Sequence, residues 1–319
     1  MNDPLIPRCS GFARAEQLDP AGTAGSYQGY VVLEVPLPWP HEITDHPEVA
    51  PAATALKQAA LRVQAVVPDP SRSPTVRRMI VFRRPPGTFD GYRATEWAVA
   101  AGEVTDALVA LSGATTSSDG TRDLAAGPAE AVASGAEVGR HVLVCTHGKR
   151  DACCGSLGTR LVTAMPGLGA GVRVHRTSHT GGHRFAPTAL LLPEGTVWAY
   201  LDLDTLVGIS DRTLAVAEAA SRYRGCAGLD APEVQAADRE ALRAVGWSWL
   251  DHRRTGTVLE RDDGRTRVRL DGVAPDGTAT SFVATVEVAR LVPVPDCGRP
   301  VEQARKSAPE LRVSGFAAA

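Results

Sequence analysis

Apolar and polar positions alternate along the first part of the chain in two periods, one typical of strands and one of helices. An apolar run rich in β-branched residues predicts a buried strand at 28–35. Apolar residues at helical spacing predict a helix over 52–67. Further strands are predicted at 79–82 and 95–101, and a further helix at 104–111. This alternation indicates an α/β unit.

The next segment, 112–136, consists mainly of small and polar residues with interspersed glycines, and few of its side chains could fill a core. Such a composition is typical of loops rather than of packed elements. We therefore expect a long loop or linker between two α/β units, with a short helix around 127–134.

The pattern beyond this linker predicts a second unit with the element order β-α-β-β-β-α. An apolar strand at 141–145 leads into a cysteine-rich loop, and a helix is expected at 156–165. The pair Glu194-Gly195 predicts a hairpin between two apolar runs. The other predicted elements are strands at 171–177, 188–193 and 196–202 and one or two helices over 203–223. This order is typical of a small thioredoxin-like domain.

The last part of the chain predicts a helix at about 231–245 and then a pair of strands, RTRVRLDG and SFVATVEVARL. The predicted fold class is therefore α/β, with two α/β units followed by a C-terminal helix and β-hairpin extension. The three parts are expected at 1–125, 137–225 and 226–319, and the second of them is the thioredoxin-like one.

Composition narrows the class of protein. The 319 residues are 44% hydrophobic and 22% charged, as in ordinary globular proteins, and the net charge of −2 creates no general attraction to nucleic acid or anionic lipid. The start MNDPLIPRCSGF does not resemble a signal peptide, and no apolar run approaches the ~18 residues of a membrane helix. We expect a cytoplasmic protein, and in that reducing compartment clustered cysteines indicate metal or redox chemistry.

Two short segments carry the candidate chemistry. CTHGKRDACC places Cys145 and Cys154 eight residues apart, and HTGGH offers the imidazoles of His179 and His183. The intervening glycine pair disfavours a helix and lets the backbone wrap closely around a bound group. Two thiolates and two imidazoles suit zinc or an iron–sulfur cluster rather than magnesium or calcium.

The ligand count leaves two kinds of metal site open. A closed set of two cysteines and two histidines satisfies tetrahedral zinc, and the same four ligands complete a [2Fe–2S] cluster. The eight-residue separation of the cysteines is unlike the spacing of zinc fingers, which mildly favours the cluster.

The two segments together, CTHGKRDACCG and SHTGGHRFAP, resemble the sucrase/ferredoxin-like family of thioredoxin-like [2Fe–2S] proteins. The family pattern, Cys-x8-Cys followed by His-x-Gly-Gly-His, is matched at Cys145, Cys154, His179 and His183. Segments at 9–40 and 223–242 are also similar, so the resemblance extends from about residue 9 to about residue 245. It implies an electron-transfer protein whose cofactor is a [2Fe–2S] cluster bound by these four residues.

The resemblance also implies how this cluster would work. Each iron is expected to take one cysteine and one histidine, and neutral imidazoles in place of thiolates raise the reduction potential. A ligating imidazole has a second nitrogen that titrates, so we expect electron transfer to be coupled to proton transfer. No nucleotide-binding motif is present, so a separate reductase should donate the electrons to this carrier or reductase. Reduction of a ferric siderophore is one role that some relatives suggest for the acceptor side.

Two other functions compete with electron transfer. One is a thioredoxin-like thiol oxidoreductase using Cys145 with Cys153 or Cys154, although no Cys-x-x-Cys pair begins the predicted helix. The other is a zinc-stabilised binding module, which would be colourless and inactive in redox reactions. Metal analysis separates all three.

Residues around the two segments have alternative roles. Cys153 could replace Cys154 as a ligand, but the family spacing favours Cys154. The remaining cysteines are isolated in sequence, which predicts simple burial; they are Cys9, Cys226 and Cys297. His147 is either a solvent-facing loop residue or a hydrogen-bonding support for the site.

The charged residues of the two loops are also given expected roles. Asp151 is expected to accept hydrogen bonds from backbone amides of its loop. The basic residues are interpreted first as a solvated loop and second as a docking surface for an acidic redox partner; they are Lys149, Arg150 and Arg184.

Overall fold

The computed structural model describes residues 8–113, 131–165 and 167–319. A short helix, α1 (Cys9–Ala15), precedes the first α/β unit. That unit contains β1 (Gly29–Glu34), α2 (Ala50–Gln58), β2 (Leu61–Val66), β3 (Val76–Arg83), β4 (Arg93–Ala100) and α3 (Val104–Gly113). The predicted strands at 28–35, 79–82 and 95–101 and the helix at 104–111 are confirmed.

The predicted helix over 52–67 is wrong in its second half. Helix α2 ends at Gln58, Ala60 adopts a left-handed φ of 51°, and the chain turns directly into β2. Left-handed residues commonly end helices. Apolar residues of β2 also fit helical spacing, but alternate ones pack into one core cluster: Leu61, Val63 and Ala65. Packing in a central strand therefore outweighs the helical pattern.

The second α/β unit repeats the element order of the first. Strand β5 (Ala131–Ser134) comes before it, so the short helix expected around 127–134 is wrong for 131–134, and its remainder lies outside the described residues. The unit contains β6 (Arg140–Cys145), a π-helical turn (Cys154–Gly158), α4 (Thr159–Thr163), β7 (Val172–Thr177), β8 (Ala189–Leu192), β9 (Thr196–Trp198) and α5 (Leu203–Ser210). It is followed by α6 (Val216–Arg222) and β10 (Tyr223–Cys226).

Both units contribute to one ten-stranded sheet, in the order β10-β9-β8-β6-β7-β2-β1-β3-β4-β5. In each unit the first two strands are parallel, and the units join where β2 meets β7 in antiparallel pairing at Val66 and Thr177. Cys145 and Thr177, the last residues of β6 and β7, are neighbours in register. The cysteine loop and the histidine loop therefore leave the sheet side by side, at the carboxyl ends of parallel strands, where ligands bind in α/β proteins.

The C-terminal part contains α7 (Pro232–Val245) and a four-stranded antiparallel sheet, β11 (Arg253–Asp262), β12 (Arg265–Val273), β13 (Ala279–Pro293) and β14 (Ser307–Ala318). The predicted strand pair is β12 and β13. The flanking strands β11 and β14 were not predicted because most of their side chains are exposed or half-buried, which leaves no clear apolar alternation.

The α/β fold class is confirmed, since helices pack against a mixed sheet. One core cluster runs from β6 and β8 to β12 and β13, so the C-terminal extension packs on the second unit. The thioredoxin-like assignment and the division at 1–125, 137–225 and 226–319 stay predictions. In the described part of the chain, no helix combines the length and the apolar character needed to cross a membrane.

Candidate metal centre

Cys145 and Cys154 lie at the two ends of the loop that follows β6. A Cβ at Gly158 would overlap the carbonyl oxygen of Cys145, so only glycine lets the π-helical turn pass this close to the strand. Gly148 and Gly155 also lie close together, since a Cβ at Gly155 would overlap the Cα of Gly148. These glycines bring Cys154 back beside Cys145, and both thiols are fully buried.

His179 and His183 lie in the loop that follows β7. Gly181 and Gly182 between them have φ angles of 89° and 66°, in the left-handed region that glycine adopts at little cost. A Cβ at Gly182 would also overlap the guanidinium group of Arg224. The glycine pair turns the chain back, and the two imidazole centroids lie 6.0 Å apart.

Three of the four predicted ligands form a compact group. One ligand atom each of Cys145, Cys154 and His179 lies within 4.8 Å of the other two. The Nδ1 atom of His179 is buried and has no hydrogen-bond partner among the described residues. A buried polar atom without a partner is costly, and a bound metal would satisfy it. The residues present therefore fit a metal at this position.

A hydrogen bond joins the two thiols of this group. A hydrogen bond from Cys154 lowers the pKa of Cys145 well below its ordinary value in spite of burial, and His179 lowers it further. The same hydrogen bond to Cys145 raises the pKa of Cys154. The hydrogen bond thus favours ionisation of Cys145 over Cys154, and loss of the thiol protons makes both sulfurs available as metal ligands.

His183 lies outside the compact group and is oriented by Asp151. Its Nδ1 is 3.1 Å from Asp151 Oδ2, while Asp151 Oδ1 accepts the backbone N–H of Cys154 at 3.0 Å. Burial opposes ionisation of Asp151, but these hydrogen bonds outweigh it and hold its pKa below the ordinary value. With Nδ1–H donated to the carboxylate, Nε2 of His183 is the nitrogen left for a metal. The backbone hydrogen bond expected for Asp151 is confirmed.

His147 contacts the backbone of the histidine loop and is 2% exposed, so the solvent-facing interpretation is wrong. Its Nε2–H donates to the carbonyl oxygen of Pro40 at 2.8 Å, and its Nδ1 accepts the backbone N–H of His179 at 3.3 Å. Burial lowers its pKa, which keeps the ring neutral and able to accept this bond.

Three polar side chains that hold the histidine loop were not predicted. Arg62 and Gln64 of β2 donate to the carbonyl oxygen of His179 at 2.5 and 3.4 Å. Arg224, fully buried in β10, donates to the carbonyl oxygen of Gly181 at 3.0 Å, and burial lowers its pKa only to about 10. The one sequence signal was that Arg224 lies in the segment 223–242, which resembles the family.

The three basic residues of the loops differ in their surroundings. Lys149 is exposed, as expected for a solvated loop, and half-buried Arg150 lies 3.3 Å from Glu42. Arg184 is 7% exposed and covers the ring of Phe185 at 4.7 Å, so the solvated interpretation is wrong for Arg184.

Cys153 does not join the compact group. It belongs to a second group with Cys9, Cys297 and Asp151, whose ligand atoms all lie within 4.8 Å of one another. The burial predicted for Cys9 and Cys226 is confirmed, whereas Cys297 is half-buried. The sequence did not indicate this second group because its cysteines come from distant parts of the chain.

A cavity of about 410 Å³ opens beside the compact group. It lies between the histidine loop, α2 and the start of β2, and its lining includes His41, Lys57, Arg62, His147 and His179. His179 thus has one side toward the buried thiols and one toward a space that solvent or a small molecule can enter.

Comparison with known families places this site in context. The family described as sucrase/ferredoxin-like matches residues 20–225, which contain both loops, all four predicted ligands and the ten-stranded sheet up to β10. The match begins and ends inside the range of about 9 to about 245 expected from the motifs. Neither the curated proteins nor the solved structures gave a match. The chain belongs to the sucrase/ferredoxin-like family.

Proposed function

We propose that Cys145, Cys154, His179 and His183 bind a [2Fe–2S] cluster and that the protein transfers single electrons. The observation that carries this proposal is the compact group of two buried thiols and an imidazole with an unsatisfied Nδ1. Soft thiolates and imidazoles together are the donors that iron–sulfur clusters and zinc prefer.

The position of His183 favours a cluster over a single zinc ion. Three ligand atoms surround one point, while His183 lies outside that group and is held by Asp151. A closed structural zinc site requires four protein ligands around one centre. A cluster with two irons distributes its ligands over two metal atoms, so His183 can bind through Nε2 without leaving Asp151.

The chain's own residues would hold the ligands in place. Asp151 fixes the ring orientation and tautomer of His183, and His147 and Arg62 fix the backbone of His179. When bound, the cluster would accept and release one electron, at a potential raised by its neutral imidazole ligands. Burial of both cysteines shields this centre from water, which leaves the histidine side as the accessible one.

The cavity beside His179 supports electron exchange on the histidine side. Its lining contains the cations Lys57 and Arg62 and one carboxylate, Glu42, which is paired with Arg150, so the net charge near the site is positive. An acidic surface of a separate reductase or of an acceptor would therefore be attracted to this face. The predicted coupling to proton transfer stays a prediction.

The test is metal analysis of the full chain purified without oxygen. We expect two irons and two acid-labile sulfides per chain and a red-brown colour that fades on reduction. C145S or C154S should remove both the colour and the sulfide, whereas C226S, at a buried cysteine outside both groups, should retain them. One zinc in a colourless protein would instead support a structural site, and thiol chemistry without metal would support the oxidoreductase alternative.

A further inference from the structure

Three cysteines that are far apart in sequence converge on one carboxylate next to the proposed cluster site. Cys153 Sγ lies 3.1 Å from Cys297 Sγ, which lies 3.4 Å from Cys9 Sγ. Cys9 Sγ is in turn 3.4 Å from Asp151 Oδ2. Cys9 begins α1, Cys153 ends the cysteine loop and Cys297 lies between β13 and β14. The group thus connects both ends of the chain to the candidate metal centre.

Simple packing of apolar thiols does not account for this group. Cys9 and Cys153 are 1% exposed, and Asp151 among them is 6% exposed. A buried carboxylate is normally placed where positive charge offsets it. His183 supplies one partner through Nδ1, but the same Asp151 oxygen also faces the thiol of Cys9. A cation between the sulfurs and this oxygen would account for all four groups.

We propose that Cys9, Cys153, Cys297 and Asp151 form a second metal site, which binds one thiophilic divalent ion of the zinc class. Four donors within 4.8 Å of one another suit one tetrahedral ion, and three thiolates select a soft or borderline metal. Zinc–sulfur bonds of about 2.3 Å place tetrahedral thiolates about 3.8 Å apart. Moving the sulfurs outward by a few tenths of an ångström would admit the ion.

A disulfide is the main competing explanation. Cys153 and Cys297 have the closest sulfurs of the group, but a bond between them would not include Cys9, whose sulfur lies 3.4 Å from that of Cys297. It would also require an oxidant, whereas metal binding needs only loss of thiol protons. The metal site explains the convergence of all three cysteines on the carboxylate.

This second site has no metal ligand in common with the proposed cluster, but two of its residues contact the cluster ligand His183: Asp151 Oδ2 lies 3.1 Å and Cys9 Sγ 3.3 Å from His183 Nδ1. Asp151 links them, since its Oδ1 holds the backbone of Cys154 while its Oδ2 faces the second group. A substitution of Asp151 would therefore disturb both sites. Serine at position 9 keeps a hydroxyl that can bond to Asp151 and His183, so the cysteine-to-serine variants give the sharper test.

The experiment is elemental analysis of the full chain, purified without oxygen from cells grown with zinc or with cobalt. We expect one zinc or cobalt per chain in addition to the cluster iron, and the cobalt protein should show thiolate-to-cobalt absorption. The triple variant C9S/C153S/C297S should lose this ion and keep its iron and sulfide. C297S alone, at the half-buried position, should weaken cobalt binding at least about tenfold.

Matched variants separate the two proposals. C226S should keep both metals, and C145S should lose the iron but keep the zinc or cobalt. Circular dichroism checks that each variant is folded. Three results would overturn the second site: no extra ion in the wild-type chain, an ion that a folded triple variant retains, or a Cys153–Cys297 disulfide in the chain isolated without oxygen.

Discussion

The two α/β units have the same element order and strand order, yet they use corresponding strand ends differently. In the first unit β1 ends at Glu34, a buried carboxylate that accepts the backbone N–H groups of Arg78 and Asp69 at 2.8 and 3.4 Å. In the second unit the corresponding strand ends at Cys145, whose thiol faces Cys154 and His179. The residue at this strand end therefore holds neighbouring backbone by hydrogen bonds in the first unit and is a candidate metal ligand in the second.

This difference shows that the fold provides the position at the strand end, whereas the side chains at that position determine its chemistry. The carboxyl ends of parallel strands are open in both units. Only the second unit has a glycine-lined loop that returns a second thiol to the strand end and a glycine pair that returns two imidazoles.

The largest effect expected from breaking this arrangement is that of G158A. The added methyl group would overlap the Cys145 carbonyl oxygen and push the turn away from β6, which should cost about 3 kcal/mol or more of unfolding free energy and abolish metal binding. Urea unfolding and metal analysis measure the two effects. The control is G102A in the first unit, where an added Cβ meets no described atom within 4 Å; a similar loss there would contradict the account.

A pH effect of intermediate size is expected from each of two histidines in the second unit's parallel strands, His141, which is buried, and His175, which is half-buried. His141 Nε2–H donates to the carbonyl oxygen of Val138 at 3.1 Å, and the facing nitrogens of His141 and His175 are 2.9 Å apart. Burial lowers the pKa of His141 to about 4 and that of His175 to about 3.

The sign of this effect follows from the lowered pKa values. The unfolded chain takes up these protons below its ordinary pKa near 6.5, while the folded chain does not, so stability is complete above that pH and falls toward pH 4 and 3. The loss near pH 5 should be about 2 kcal/mol for each histidine. Urea unfolding between pH 7.5 and 5 measures it. H175Q should remove about half of this loss and H41Q, at an exposed position, should leave it unchanged; equal profiles for all three would contradict the assignment.

The smallest effect on stability is expected for E34A. This variant tests whether the strand end of the first unit affects folding alone and not metal binding. Two backbone N–H groups would lose their buried acceptor, so the free energy of unfolding should fall by about 1–3 kcal/mol. Metal content should not change, because Glu34 has no part in either cysteine group. Loss of iron from folded E34A would show that the two strand ends are not functionally distinct.

The features predicted best were those that depend on residues close together in the sequence, namely single strands and the two loop motifs. Strand β6 was visible as an apolar run and β7 as an alternating pattern, and both loops carried their ligands within short motifs. Helix α2 was predicted too long because helical spacing continued into β2 by coincidence, and only packing ends the helix at Gln58. The convergence of Cys9 and Cys297 on Cys153 depends on where tertiary packing places the two ends of the chain, which no local pattern contains.

The arginines that hold the histidine loop could not be predicted for a similar reason. Arg62 and Arg224 contact the histidine loop from β2 and β10, strands that lie far from it in sequence. Their charge gave no signal, since arginines are common throughout the chain.

The predicted cytoplasmic location and the predicted reductase and acceptor stay predictions.

The most direct test of the central claim is the iron, acid-labile sulfide and zinc content of the full chain purified without oxygen, read together with its visible spectrum. The account predicts two irons and two sulfides per chain, in a coloured protein that loses both when Cys145 is replaced by serine. A colourless chain that holds zinc at Cys145 and Cys154, or that binds no metal after reconstitution with iron and sulfide, would contradict it.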